Sequence, residues 1–353
     1  MAGDRVRVAL VGAGFFARFH LDAWLRMAGA RLVAVCDRNP ETHGQVAGQV
    51  AGQVTSTGEP IAVFEDFGAM LDAERPDVVD IATPPETHLS LVETAADRGL
   101  AIICQKPLAP TLEDAIRVVE TCERAGVVLA VHENIRWTPW HREVARLIGA
   151  GTLGTLHRIG MRLRPGDGQG AEAYLARQPY FQQMPRFLVH ETAIHWIDTF
   201  RFLMGEITGV FARLERLNPV VAGEDSGVIV FAFEGGTTGY FDGNRLNDHV
   251  SDNTRRTMGE MWVEGSAGVL RLDGAARLWW KPHGEAEAEH AYAWHDRGFA
   301  GDAVFATQAH VISHLRDGTP LENSGRAYLR NLRIEEAVYR SSEEGRWIDT
   351  SPG

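Results

Sequence analysis

The chain has 353 residues, 44% of them apolar and 23% charged, which is a globular composition at a length expected for two domains. A formal charge of −12 argues against nucleic acid as the main partner, because phosphate recognition needs a basic surface, but it leaves room for an anionic cofactor held locally. Cys36, Cys104 and Cys122 lack metal-ligand spacing and are expected as buried, reduced thiols. The start of the chain runs into an apolar strand with no signal-peptide layout, and no stretch reaches transmembrane length, so the expected location is cytoplasmic.

In chain order, residues 6–11 read as a buried strand, 15–27 as a helix and 31–36 as a second strand. The run GQVAGQVAGQV at 44–54 repeats every four residues and would stripe Val46, Val50 and Val54 along one helix face; no function attaches to it. Further strands are expected at 77–82, 101–104 and 127–131, with helices at 87–97 and 112–125 between them. Thr111, followed by Asp114, has a capping-box layout for the second helix. This alternation predicts a parallel, doubly wound sheet.

After residue 131 the rhythm changes. Helices are expected at 139–148 and 189–203, on either side of a strand at 156–163 and a Gly/Pro-rich loop, RPGDGQG. Strand patterns at 210–217, 227–233, 238–242, 259–263 and 278–281 predict a large, mainly antiparallel sheet, and helices at 304–315 and 327–342 close the chain. The expected architecture is therefore α/β: a Rossmann domain over residues 1–131 and an α+β domain over 132–353, with no linker between them.

Three segments carry chemistry. Gly12-Ala13-Gly14-Phe15-Phe16-Ala17 fits G-x-G-x-x-[GA], and it lies between a strand and a helix, where such a turn binds a dinucleotide. Gly12 permits the tight turn, Gly14 lets the backbone approach the pyrophosphate, and Ala17 allows close helix–sheet packing. Asp37 ends the second strand, where an acid binds the adenosine ribose, and Arg38 follows it. Next, Thr83-Pro84-Pro85-Glu86-Thr87-His88 and Cys104-Gln105-Lys106-Pro107 lie at strand ends, where ligands of open α/β sheets bind. Thr83, Pro84, Pro85, His88, Gln105 and Lys106 are the expected cofactor contacts there. The third segment runs from His190 to Asp198. Its histidines are five residues apart and diverge by ~140° on an α-helix, unlike a zinc-protease pair. Glu191 and His195 share a face at four-residue spacing, which suits a histidine tuned for proton transfer by a carboxylate.

Together these segments resemble the family of glucose–fructose oxidoreductase and inositol dehydrogenase, Gfo/Idh/MocA. The resemblance rests on VALVGAGFFARFH, VAVCDRNPE, ATPPETH, CQKP, NIRWTPWHREVARLIGAGTLG, HETAIHWIDTFRFLMGE and EEAVYRSSEEGRW. It implies NAD as cofactor, with NADP possible, a sugar, cyclitol or related polyol as substrate, and a homodimer or homotetramer formed through the second sheet. It places the family's catalytic lysine on Lys106 and its catalytic histidine on His195. Gln105 stands where the family usually has glutamate, and Glu191 where it usually has aspartate. The glycine-rich turn often found before the histidine helix is replaced by Gln182, Gln183, Met184, Pro185 and Arg186.

The expected reaction is hydride transfer between a carbinol carbon and the nicotinamide. His195 moves the hydroxyl proton, Lys106 stabilises charge on the same oxygen, and Glu191 orients His195. Asn134, Arg136 and Arg186 are the further expected substrate contacts. The alternatives are a non-catalytic dinucleotide-binding sensor and an NAD-assisted hydrolase or lyase of the same fold. The substrate itself is not legible in these residues.

Overall fold

The computed structural model describes residues 5–39 and 60–351; the four-residue repeat at 44–54 lies outside them. The chain divides into two compact units, Met1–Asn134 with Asp302–Leu329, and Ile135–Gly301 with Arg330–Gly353.

In the first unit, β1 (Val6–Val11), β2 (Ala30–Cys36), β3 (Ala62–Phe64), β4 (Val78–Ile81), β5 (Ala101–Gln105) and β6 (Leu129–His132) form a parallel sheet in the order β3-β2-β1-β4-β5-β6. That order reverses direction at β1, the switch point at which dinucleotides bind. The strands finish in step, because Val11 pairs with Cys36 and Ile81, Ile81 with Cys104, and Gln105 with His132. Gly12, Asp37, Thr83 and Lys106 therefore leave the sheet along one carboxyl edge. The helices are α1 (Ala17–Arg26), α2 (Phe67–Glu74), α3 (His88–Ala96) and α4 (Leu112–Ala125). The expected cap of α4 is present, with Thr111 Oγ1 accepting the Asp114 N–H at 3.1 Å.

The division also contains a return that a single boundary at 131 does not. After eight of the nine strands of the second sheet the chain rejoins the first unit as α7 (Ala303–Asp317). Val311 and Ile312 enter the core beside Leu21, Trp24 and Met27, and the Arg26 guanidinium grips Asp302 through both carboxylate oxygens at 2.6 and 2.8 Å. A helix pattern announces an apolar face but not which core that face joins.

The second unit holds β7 (Leu156–Leu163), β8 (Ile207–Glu215), β9 (Ser226–Phe233), β10 (Thr238–Asn244), β11 (Gly259–Gly265), β12 (Gly268–Leu272), β13 (Leu278–Pro282), β14 (Ala288–His290) and β15 (Ile348–Asp349). They form one sheet in the order β14-β13-β12-β11-β7-β10-β9-β8-β15, antiparallel except for β10 beside β7. Its inner face packs on the helix expected at 189–203. That helix begins differently from the expectation: Leu188–Ala193 is a π-helical turn, and the α-helix α6 runs Ile194–Met204. Phe200 meets Phe231, and Trp196 meets Phe241, both with ring centroids 5.8 Å apart. The remaining helices are α5 (Pro139–Gly149) and α8 (Gly325–Glu344), within which the chain passes from the first unit to the second. No helix among the described residues is long and apolar enough to cross a membrane.

Candidate active site

The glycine-rich turn is built for close approach. Gly12 has φ +98°, its N–H donates to the Cys36 carbonyl at 2.8 Å, and a Cβ there would stand 2.7 Å from the Ala82 oxygen. Only glycine fits both constraints. A Cβ on Gly14, by contrast, would meet nothing within 4 Å, so the turn opens outward there. α1 then starts at buried Ala17 with no side-chain cap and no acidic residue in its first turn, so the positive dipole end of the helix is unopposed by a side-chain charge and suits an anion. Phe15 is exposed, with the Arg18 guanidinium 4.1 Å over its ring. Asp37 is fixed by two backbone donors, Ala13 N–H at 2.6 Å and Asn39 N–H at 2.8 Å, one on each oxygen. A carboxylate oxygen has a second lone pair, so Asp37 can hold the turn and still accept from a ribose diol. Arg38 is exposed beside it. An open, uncapped helix start next to an anchored acid fits a dinucleotide.

Farther along the edge, Thr83 accepts the Thr87 hydroxyl at 2.7 Å, and Pro84 leads into a 3-10 turn, Pro85–Thr87. His88 departs from its expected role as a cofactor contact. It is fully buried, with Nε2 2.9 Å from the Thr83 carbonyl and Nδ1 3.1 Å from the Leu108 carbonyl. Burial holds its pKa below the usual range. His88 is thus a strut between two strand-end loops.

Gln105 also turns inward. Its Oε1 accepts the Lys106 N–H at 2.7 Å, and its Nε2 lies 3.2 Å from His20 Nε2. The peptide between Lys106 and Pro107 is cis. His20 Nδ1 is 2.8 Å from Asp80 Oδ2, which also accepts Trp24 Nε1–H at 2.7 Å and Gln308 Nε2–H at 3.1 Å. The His132 ring stacks on His20 with centroids 4.1 Å apart. Asp80, His20, His132 and Gln308 are all completely buried. Burial pushes the Asp80 carboxyl up, but its contact with His20 outweighs this and holds it below the usual carboxylate range. Burial, with the neighbouring His20, pushes His132 down to about 3. The sequence reading missed this network: its members come from α1, β4, β5, β6 and α7, and no spacing links them.

In the second unit, Glu191 and His195 lie on the π turn and the first turn of α6. The α-helical spacing used to pair them does not apply across a π turn, whose extra residue rotates everything that follows; such turns recur at functional sites. The turn is held at its start by Glu224 Oε1, which accepts the Phe187 and Val189 N–H groups at 3.2 and 3.0 Å. His190 leaves the turn toward α8, with Nδ1 2.7 Å from Glu335. Thr192 accepts Arg245 NH1 at 2.6 Å, and Arg245 in turn grips Asp167 through Nε and NH2 at 3.2 and 2.8 Å. Arg177 and Arg255 approach the same Asp167 oxygen at 3.6 and 3.9 Å. Burial, with Arg255 nearby, pulls Arg177 down to about 10. The only sequence signal for this cluster was the RPGDGQG loop that carries Asp167.

The expected substrate contacts fare unequally. Asn134 is buried in the first unit. Arg136, in the second, is committed to Asp198 through Nε and NH2, both at 2.6 Å, and Asn331 adds a third hydrogen bond to that carboxylate at 2.7 Å. It is a structural ion pair, because a substrate contact through that fork would leave Asp198 uncompensated. Arg186 is half-exposed, paired with Glu336 and lying 4.3 Å over the Tyr339 ring. The structure thus gathers Gly12, Asp37, Thr83 and Lys106 on one sheet edge, and Glu191 and His195 on one helical segment.

A model of the oxidoreductase family with an NAD-binding Rossmann fold matches residues 6–133, and a model of the GFO/IDH/MocA C-terminal domain matches residues 141–271. The chain belongs to the Gfo/Idh/MocA oxidoreductase family. It is an NAD-dependent oxidoreductase. It is 38% identical to a D-apiose dehydrogenase of Paraburkholderia graminis over 98% of this chain and 90% of that one, and 32% identical to a second, from Rhizobium rhizogenes, over 97% and 96%. Among solved structures, an oxidoreductase from Agrobacterium radiobacter in complex with NAD+, L-tartaric acid and magnesium has a TM-score of 0.87 at 29% identity, covering 98% of this chain and 99% of that one.

Proposed function

We propose that this enzyme oxidises a carbinol carbon of a sugar with NAD, and that the sugar is a branched aldose of the D-apiose kind. The observation that carries the reading is the 38% identity to a D-apiose dehydrogenase along nearly the whole chain. When bound, the nicotinamide supplies the hydride acceptor. Gly12, Gly14, Phe15, Phe16 and Ala17 bind the pyrophosphate, Asp37 with Arg38 the adenosine ribose, and the Thr83–Pro85 turn the nicotinamide half. Lys106 donates a hydrogen bond to the substrate oxygen, and His195 takes the hydroxyl proton, with Glu191 on the same helical segment as its orienting partner. Arg186 and Asn134 are secondary candidates for substrate contact. The test is NADH production at 340 nm across D-apiose, other aldoses, cyclitols and hydroxy acids. D-apiose as the best substrate by kcat/KM is the expected result; a cyclitol best by tenfold or more overturns the sugar assignment.

The same reading includes assembly. On the outer face of the second sheet, Trp279, Arg271, Trp262, Gly160, Tyr240, Val230 and Phe211 lie in register across seven strands. Phe211 and Tyr240 are 39% and 37% exposed. A row of this length, apolar except at Arg271, on an exposed sheet face suits burial against a second copy. Light scattering at micromolar concentration is expected to give a dimer or tetramer, and Val230→Asp with Tyr240→Arg a monomer.

A further inference from the structure

We infer that His20 is a positioning residue for Lys106, acting through Gln105, and that glutamine at position 105 fixes which nitrogen of His20 carries its proton. The inference rests on the role proposed for Lys106 and deepens it. The reasoning is one of donors and acceptors. The Lys106 backbone N–H can only donate, so the Gln105 atom 2.7 Å away must be the carbonyl oxygen. The amide NH2 then faces His20 Nε2 at 3.2 Å, and that nitrogen must accept. The His20 proton therefore sits on Nδ1, where Asp80 Oδ2 accepts it at 2.8 Å. The chain of bonds runs Asp80, His20, Gln105, Lys106 N, each link fixing the direction of the next.

The anchors of this chain all lie in the first unit and come from β4, β5, β6, α1 and α7. Asp80 is held on β4 by donors from α1 and α7, Trp24 and Gln308. The His20 ring is packed between Phe16 of the glycine-rich turn, at 5.7 Å, and His132 of β6, at 4.1 Å. The ionisable groups facing His20 are Asp80 on β4 and His132 on β6; Gln105 on β5 carries no charge. Lys106 is the residue whose placement this rigid chain settles, and misplacing a catalytic group by about 1 Å costs on the order of 10²-fold in rate.

A carboxylate at 105 would reverse the logic. It accepts at both ends, so His20 must donate from Nε2 as well as Nδ1, and the ring must be an imidazolium between two carboxylates. A glutamate at 105 in this chain would thus ask for a charged His20, and the glutamine present asks for a neutral one.

The experiment compares Gln105→Ala, Gln105→Glu, His20→Gln and Lys106→Ala as purified holoenzymes, checked for native melting and NADH affinity. Gln105→Ala is expected to lower kcat about tenfold or more with NADH affinity unchanged. His20→Gln combined with Gln105→Ala should cost no more than the worse single change, because both cut one chain. Gln105→Glu is expected to match the wild type's kcat at low pH and to fall below it as pH rises and the imidazolium gives up its proton, a limb that the wild type lacks. Ring 15N NMR, with the His20 signal assigned by its loss in His20→Gln, should show Nδ1 protonated and Nε2 bare in the wild type. Normal kcat in Gln105→Ala, or both His20 nitrogens protonated in the wild type near pH 7, overturns the inference. Lys106→Ala separates the two levels. If it keeps its activity, the proposed role of Lys106 fails; if it is inactive while Gln105→Ala is normal, only the positioning chain fails.

Discussion

Each unit buries a carboxylate, and the two are satisfied in opposite ways. Asp80 of the first unit takes all three of its donors on Oδ2, from His20, Trp24 and Gln308. Among the described residues its Oδ1 has no hydrogen-bond partner. Asp198 of the second unit uses both oxygens, holding the Arg136 fork and the Asn331 amide. The first is a polar relay in which one oxygen accepts and the partners set each other's orientation. The second is a closed ion pair. Polar relays orient, whereas buried ion pairs fail at great cost when one charge is removed, because the other is left desolvated.

One substitution breaks this comparison most sharply. Asp198→Asn removes half of a buried pair and turns an NH2 group toward the Arg136 fork, and it is expected to destabilise by about 3–5 kcal/mol. Thermal or urea unfolding measures it. The companion change, Asp80→Asn, keeps one accepting oxygen for the three donors and puts its NH2 where Oδ1 lies, so the expected loss is only about 1–2 kcal/mol. Equal losses would erase the distinction between relay and pair.

Next in size are the effects on rate. Lys106→Ala and His195→Ala are each expected to lower kcat by roughly 10²-fold or more, while NADH affinity followed by fluorescence stays near normal. Glu191→Gln should be milder, because it keeps the shape of the side chain and removes only its charge; kcat of this variant between those of the wild type and His195→Ala is the expected result.

Acid sharpens the comparison from another side. Asp80 is held below the usual carboxylate range, so its contribution to stability is present above about pH 4 and is lost as pH falls through its folded value. His132 acts in the same direction from higher pH. Its folded value, pushed down to about 3, lies below the ordinary ~6.5, so the unfolded chain binds the extra proton and stability falls progressively between those values. Melting temperature against pH for the wild type, Asp80→Asn and a His132→Gln variant should show the gap between wild type and Asp80→Asn narrowing below pH 4. The His132 variant should decline less steeply between pH 6.5 and 4, with buried His88 and His141 accounting for what remains.

The smallest effect concerns the cofactor. Asp37 accepts from a free ribose diol and repels a 2′-phosphate, so Asp37→Ala should weaken NAD binding and improve NADP relative to it. Because Asp37 also holds the Ala13 and Asn39 N–H groups, Asp37→Asn is the cleaner control. Its amide oxygen keeps one of those bonds without the charge. A titration with both cofactors decides the order.

The sequence by itself determined whatever depends on neighbours along the chain. Apolar runs set the strands of both sheets, Thr111 set the start of α4, and the spacing of Gly12, Gly14, Ala17 and Asp37 marked the nucleotide turn. Lys106 and His195 came from motif position. What the tertiary structure decided depends on groups far apart in sequence. Gln308 reaches Asp80 across 228 residues, and α7 joins the first core although it follows eight of the nine strands of the second sheet. No local pattern reveals that the Arg136 fork is held by Asp198, and no spacing reveals the two carbonyl partners of His88. The π turn at Leu188–Ala193 was invisible for a related reason. Its extra residue is stabilised by Glu224 and by the Thr192–Arg245 bond, contacts that come from other elements. Periodicity encodes which side of an element is apolar. Which polar group ends up facing which is settled only when the elements pack, because a buried donor takes whatever acceptor the fold brings within 3 Å.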